Sequence, residues 1–195
     1  MKKLLLILLC LPMIGFGQNR LLNEELINKG TEKNPIMFYE GVLFDGSGYD
    51  IYSDGTLKYE YYYSNGLIDG LFKRFHYNGQ LYSSINYKEG KKDGPYKEFR
   101  QNGQIMYEGN YKEGKQITLK TYFRNGLLES LENWKNGKYN GEYRSYYENG
   151  QLEKEANYKN GRYNGEYKTY YENGGLEEVG IKTDGLLNGF CQYKE

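Results

Sequence analysis

From residue 38 onward, short runs rich in aromatic and aliphatic residues are interrupted by glycine. Such runs suit strands, because Tyr favours a pleated surface. The glycines themselves keep phase. Gly55, Gly79, Gly103, Gly126, Gly150 and Gly174 are spaced 24, 24, 23, 24 and 24 residues apart, and Gly66, Gly90, Gly114, Gly137, Gly161 and Gly185 repeat the same five spacings. A third series, Gly70, Gly94, Gly141, Gly165 and Gly189, skips one unit, where Lys115-Gln116-Ile117-Thr118-Leu119 runs one residue short. Self-similarity at a fixed period is the mark of a repeat architecture. Gly46 lies 24 residues before Gly70 and places a degenerate entering unit from about Phe38.

Within the unit from Asn140 to Gly161, Asn-Gly pairs alternate with Tyr-rich runs. Asn-Gly suits a type I′ hairpin turn, which needs positive φ at both central residues. Glu142–Glu148 and Gln151–Lys159 read as strands, and glycine every 10 to 13 residues argues against helix. The predicted fold is all-β: an extended antiparallel array of β-hairpin repeats over residues 38–195, with about six units of 24 residues plus the entering one. Residues 18–37 read as a cap or linker, with Leu21, Leu22, Leu26 and Ile27 forming a short helix or an extra strand over the open end. At the other end the array stops in a partial hairpin, where Lys194 and Glu195 suit charged protection of an edge.

Comparison among units separates core from surface. Phe72, Tyr96, Tyr143 and Tyr167 share one slot; Phe75, Phe99, Tyr146 and Tyr170 share another. Leu57, Leu81, Ile105, Leu128, Leu152 and Leu176 recur likewise, as do Tyr63, Tyr87, Tyr111, Trp134 and Tyr158. A group that is apolar in nearly every unit is expected to form the shared core, ring stacked on ring. One slot changes chemistry instead, holding Tyr52, His76, Arg100, Phe123, Tyr147 and Tyr171. Such tolerance marks either candidate anchors for a partner or unconstrained surface residues. Lys73, Lys97, Arg144 and Lys168 alternate with acidic neighbours such as Glu98, Glu142 and Glu166, which predicts a solvated, salt-bridged face.

The first 17 residues differ from the rest. Met1-Lys2-Lys3 is basic, Leu4 to Phe16 is apolar, and Gly15-Phe16-Gly17 offers small residues two apart. This is the pattern of a secretory signal peptide rather than a membrane span, the alternative being a retained amphipathic anchor. Leu9 before Cys10 does not suit a lipidation site. Cleavage after Gly17 would make the protein exported (periplasmic, cell-surface or secreted), without a stable membrane span. It would leave Cys191 as the one cysteine, so no internal disulfide is expected to staple the fold.

Charge and composition narrow the function. The 26 Lys+Arg balance 26 Asp+Glu, which argues against nucleic-acid binding. His76 is the single histidine, so a triad or a usual structural zinc site lacks its partners. Gly46-Ser47-Gly48 is an incomplete dinucleotide fingerprint, and Asp50 and Asp54 lack the spacing of a calcium loop. The expectation is therefore a protein without catalytic residues, metal or cofactor.

Asn78-Gly79-Gln80-Leu81, Lys92-Asp93-Gly94, Tyr146-Tyr147-Glu148-Asn149-Gly150-Gln151-Leu152 and Tyr170-Tyr171-Glu172-Asn173-Gly174 resemble the units of the MORN-repeat variant family. The resemblance runs from about Tyr39 to Tyr193. It implies an extended antiparallel array serving as an interaction scaffold, with no shared catalytic residues; some bacterial relatives are labelled antitoxins. The function expected is an exported, non-enzymatic scaffold that binds a protein through an aromatic and charged β surface. The alternatives are a cell-envelope glycan binder and an immunity-type protein that neutralises a toxin.

Overall fold

The computed structural model describes residues 20–31 and 35–188, with the backbone of 192–193. The signal-peptide reading of residues 1–17 falls outside the described residues, as do Gly189, Cys191, Lys194 and Glu195. The chain begins with β1 (Arg20–Leu22), a 3-10 turn at Asn23–Glu25, β2 (Ile27–Asn28), β3 (Met37–Tyr39) and β4 (Val42–Leu43). The array follows as β5 (Gly46–Ile51), β6 (Leu57–Ser64), β7 (Leu67–Ile68), β8 (Gly70–Phe75), β9 (Leu81–Lys88), β10 (Lys91–Phe99) and β11 (Ile105–Lys112). It continues through β12 (Lys115–Tyr122), β13 (Leu128–Lys135), β14 (Lys138–Tyr146), β15 (Leu152–Lys159), β16 (Arg162–Tyr170) and β17 (Leu176–Thr183). The short β18 (Leu186–Leu187) and β19 (Gln192–Tyr193) both pair with β17. From β8 to β17 the order in the sheet is the order in sequence, and every neighbour is antiparallel.

Strand β1 joins the main sheet, but parallel to β5, with Leu21 opposite Gly48. The 3-10 turn then delivers Leu26 into a small core with Met37, Phe44 and Tyr63. Gly48 leaves room for this packing, because a Cβ there would lie 2.9 Å from the Tyr63 ring. The entering unit is divided: β3 pairs with β2 on one side and β4 on the other in a separate three-stranded sheet, and only β5 opens the array.

The glycine series do three different jobs, and only one makes type I′ turns. Asn160 and Gly161, with φ of 52° and 85°, form such a turn; Glu89-Gly90 and Glu113-Gly114 do the same with Glu held left-handed. Asn149-Gly150 instead closes a wider loop, in which Gly150 N–H donates to Tyr147 O and Tyr147 N–H to Gln151 O, both at 2.8 Å. Asn140-Gly141 is no turn at all. It lies inside β14, where Asn140, Gly141 and Glu142 together face Asn133, so the strand begins at Lys138 rather than near Glu142. Gly141 takes φ 113° to make this bulge. The short unit replaces it with one extra residue, Ile117, between Gln116 opposite Tyr111 and Thr118 opposite Asn110. That smaller bulge accounts for both the lost residue and the lost glycine.

Register assigns the two faces. Along one, Glu60, Lys73, Ser84, Lys97, Glu108, Lys120, Leu131, Arg144, Glu155, Lys168 and Val179 stand opposite one another in successive strands. Arg20–Glu60–Lys73, Lys97–Glu108–Lys120, Arg144–Glu142 and the contacts of Lys168 with Glu155 and Glu166 pair these charges; Glu98, expected among them, falls on the opposite face because it follows Lys97 in the strand, and there accepts from the Tyr82 hydroxyl at 3.4 Å. The opposite face carries the rings. Trp134 and Tyr139 lie 4.2 Å apart between centroids, Tyr139 and Tyr158 5.3 Å, and Tyr158 and Tyr163 4.6 Å. Large rings sit beside small neighbours, Tyr143 and Tyr167 flanking Ala156 and Tyr167 facing Gly180. Ring pairing is worth about 0.5–1.5 kcal/mol per pair beyond the area buried.

Candidate functional site

The variable slot turns out to have a shared constraint. The Tyr52 hydroxyl donates to Phe75 O at 2.8 Å, Arg100 Nη2 to Tyr122 O at 2.8 Å, and the Tyr147 hydroxyl to Tyr170 O at 2.7 Å. His76 Nε2 lies 3.2 Å from Phe99 O, a bond that requires the proton on that nitrogen. Each side chain thus reaches one unit forward and caps the carbonyl just before the next slot. Tyr, His and Arg are interchangeable because each is long and ends in a donor. The free anchors that sequence variation suggested at Tyr52, His76, Arg100 and Tyr147 are clasps between units, and their side chains are partly buried. Tyr171 is 44% exposed.

A second ladder binds the opposite edge. Gly90 N–H donates to Ile68 O, Gly114 to Lys92 O, Gly161 to Tyr139 O and Gly185 to Tyr163 O. Both ladders are broken at the same place. Phe123 has no donor to offer, and among the described residues Gly137 makes no corresponding bond.

At this break the ring face opens into a groove of about 590 Å³ between β11 and β15. Tyr107, Phe123, Tyr143 and Tyr147 supply its rings, and the buried Ser130 and Ser145 its hydroxyls. Of the slot residues, only Phe123 and Tyr147 come together here. Glu129, Glu132, Glu148 and Glu153 also line it, and no lysine or arginine does. Their hydrogen bonds come from neutral groups: Trp134 Nε1 to Glu132 at 3.0 Å, Ser130 to Glu132 at 3.3 Å and Ser145 to Glu153 at 2.7 Å. Among the described residues no ion pair engages these four carboxylates. Burial, then the charges of Glu153, Glu177 and Glu172, hold the Tyr147 hydroxyl above the ordinary phenol value. On the other face, hydrogen bonding from Tyr122 comes first, with Lys120 and Lys97 assisting against burial, and it holds Glu108 below the usual carboxylate range.

Four segments, residues 68–89, 92–113, 139–160 and 163–180, match the MORN repeat variant. The chain belongs to that family. The interval between the second and third segments of the MORN array contains the short unit and its broken ladders. No curated relative matches the chain. Among solved structures, a substituted S. aureus TarM in complex with Fondaparinux, alpha-GlcNAc-glycerol and UDP is 11% identical, with TM-score 0.33 over 60% of this chain and 21% of that one. The GtfA/B complex bound to UDP and GlcNAc is 11% identical, with TM-score 0.22 over 65% and 23%. TcdB2-TccC3-Cdc42 is 17% identical, with TM-score 0.23 over 72% and 9%. The chain spans less than a quarter of each, and at these scores none speaks to its function.

The sequence reading missed the groove carboxylates and serines. Glu129, Glu132 and Glu153 sit in ordinary acidic runs, and nothing in their spacing distinguishes them from the paired acids of the other face. The only pointer was the short unit itself.

Proposed function

We propose that the MORN array is an exported, non-enzymatic scaffold that holds a protein partner against its ring face. The observation that carries this reading is an asymmetry. The charged face satisfies its acids internally, whereas the ring face presents aromatic surface and carboxylates without counter-ions at the unit that departs from the repeat. Half-buried rings are enriched at interface cores, and carboxylates beside them give such a surface its choice of partner. The leader pattern of residues 1–17 supports export, and neutralising a toxin outside the cytoplasm would be one case of the same activity. A glycan is the second reading, favoured by the ring-plus-hydroxyl lining of Tyr107, Tyr143, Ser130 and Ser145.

In a Cys191→Ser background, a bulky thiol label at Glu153→Cys on the ring face is expected to abolish capture of the partner from envelope extracts. The same label at Glu166→Cys on the charged face should leave it intact. Loss only with the second label would overturn the reading. Fractionation that retained the chain in the cytoplasm would remove the export part.

A further inference from the structure

We infer that the groove at the short unit receives an extended segment of the partner protein bearing lysine or arginine side chains. This deepens the scaffold reading and rests on it. The first argument is charge. Glu60, Glu108, Glu142, Glu155 and Glu166 on the other face each meet a Lys or Arg of the same chain. Glu129, Glu132, Glu148 and Glu153 share one groove whose own walls hold no Lys or Arg; the nearest cation, Lys154 of the adjoining pocket, lies over the Tyr143 ring and pairs with none of the four. Carboxylates gathered in this way repel one another, and an incoming cation relieves that repulsion.

The second argument is the surface between them. The ring face already accepts ammonium groups on its aromatic faces: Lys154 Nζ lies 5.8 Å from the Tyr143 centroid and Lys182 Nζ 4.3 Å from that of Tyr167. A partner's basic side chain can take the same pose on Tyr107 or Tyr147, the groove rings that Lys154 leaves open, with its stem against Phe123 and its head among the carboxylates. The third argument is shape. Among the described residues no three acids converge in a way that could hold a metal ion, so the charge is spread along the groove rather than focused at a point. Spread acids and a 590 Å³ open volume suit several side chains of an extended peptide better than one small ion.

The groove also exists for a reason internal to the array. At Tyr52, His76, Arg100 and Tyr147 a slot donor ties one unit to the next; Phe123 cannot, and there Asn125 Nδ2 reaches across to Glu148 O at 2.7 Å. Phe123→Tyr should restore the clasp and tighten the groove.

The test uses the purified full-length chain and Trp134, the single tryptophan, whose indole N–H is bonded to groove residue Glu132. It is titrated with a labelled arginine-rich peptide, an aspartate-rich peptide of equal length and an uncharged glucan oligosaccharide. The arginine-rich peptide alone is expected to bind and to shift Trp134 emission, with affinity falling steeply as salt rises. Replacing Glu129 and Glu153 together by Gln keeps their size and acceptor oxygens, and should weaken binding about tenfold or more. Phe123→Tyr should weaken it as well. Unchanged affinity in both variants, or equal binding of the acidic peptide, overturns the inference, and binding of the glucan alone transfers the groove to the glycan reading. Should the Glu153→Cys label block partner capture while the Glu129→Gln, Glu153→Gln variant captures normally, the scaffold reading stands and the cationic segment falls. Should neither label matter, both fall.

Discussion

Replacing Tyr147 by Phe removes one hydroxyl and leaves the ring in place. The bond lost is the 2.7 Å contact with Tyr170 O. A neutral hydrogen bond contributes a net ~0.5–1.5 kcal/mol to stability. Because this one is only partly buried and water can reach the freed carbonyl, we expect ~0.5–1 kcal/mol. With a urea slope of ~2 kcal/mol/M for a domain of this size, the unfolding midpoint should fall by ~0.3–0.5 M at unchanged slope. Tyr171→Phe is the matched control. It occupies the same slot, but its side chain is 44% exposed and its hydroxyl makes no hydrogen bond among the described residues. Its midpoint should therefore stay within the ~0.5 kcal/mol scatter of surface substitutions. Far-UV circular dichroism follows the whole sheet, and Trp134 emission follows its middle, so a clasp acting between neighbouring units should move both. Equal shifts for the two substitutions would refute the clasp, since they share chemistry and differ in whether the hydroxyl holds a carbonyl.

Three further outcomes are expected. Gly109→Ala should destabilise the array by ~1–3 kcal/mol in thermal or urea unfolding, because the new Cβ would lie 2.2 Å from Thr118 O in the paired strand and backbone must move; a near-neutral result would contradict the tight β11–β12 approach. In alkali the sheet should melt cooperatively. Burial raises the folded-state pKa of Tyr61, Tyr63, Tyr96 and Tyr158, and pushes Tyr122 up to about 12, so their contribution is full below the unfolded phenol value of ~10 and is lost as pH climbs towards the folded values. Phenolate absorbance that titrated near pH ~10 with the sheet intact would exclude this. In acid the sign reverses for Glu108, whose folded pKa is depressed: its contribution is present above the unfolded value of ~4.3 and disappears as pH falls through the folded one. Glu108→Gln should accordingly flatten the stability profile of the chain between pH ~5 and ~3, which denaturant titrations at stepped pH would read.

The amino-acid pattern by itself determined the period, the hairpin strands, the stacked rings and the paired charges of one face. All of these follow from local rules: Tyr-rich runs of strand length favour the pleated surface, left-handed glycines close turns, and residues in the same slot of successive units become neighbours. It could not tell a turn from a bulge, since Asn140-Gly141, Asn149-Gly150 and Asn160-Gly161 are the same dipeptide. Only pairing with Asn133 makes the first of them an interruption within a strand. Nor could it reveal that Tyr52, His76, Arg100 and Tyr147 share a role, because what they share is the distance to a carbonyl 22 or 23 residues on. The groove is wholly a tertiary product. One unit made a smaller bulge at Ile117 and placed Phe123 where its neighbours place a donor, and register then gathered acids from β13, β15 and the loop between β14 and β15 on one face. Spacing along a chain encodes which residues alternate; the partners they meet across strands depend on where each bulge shifts the register.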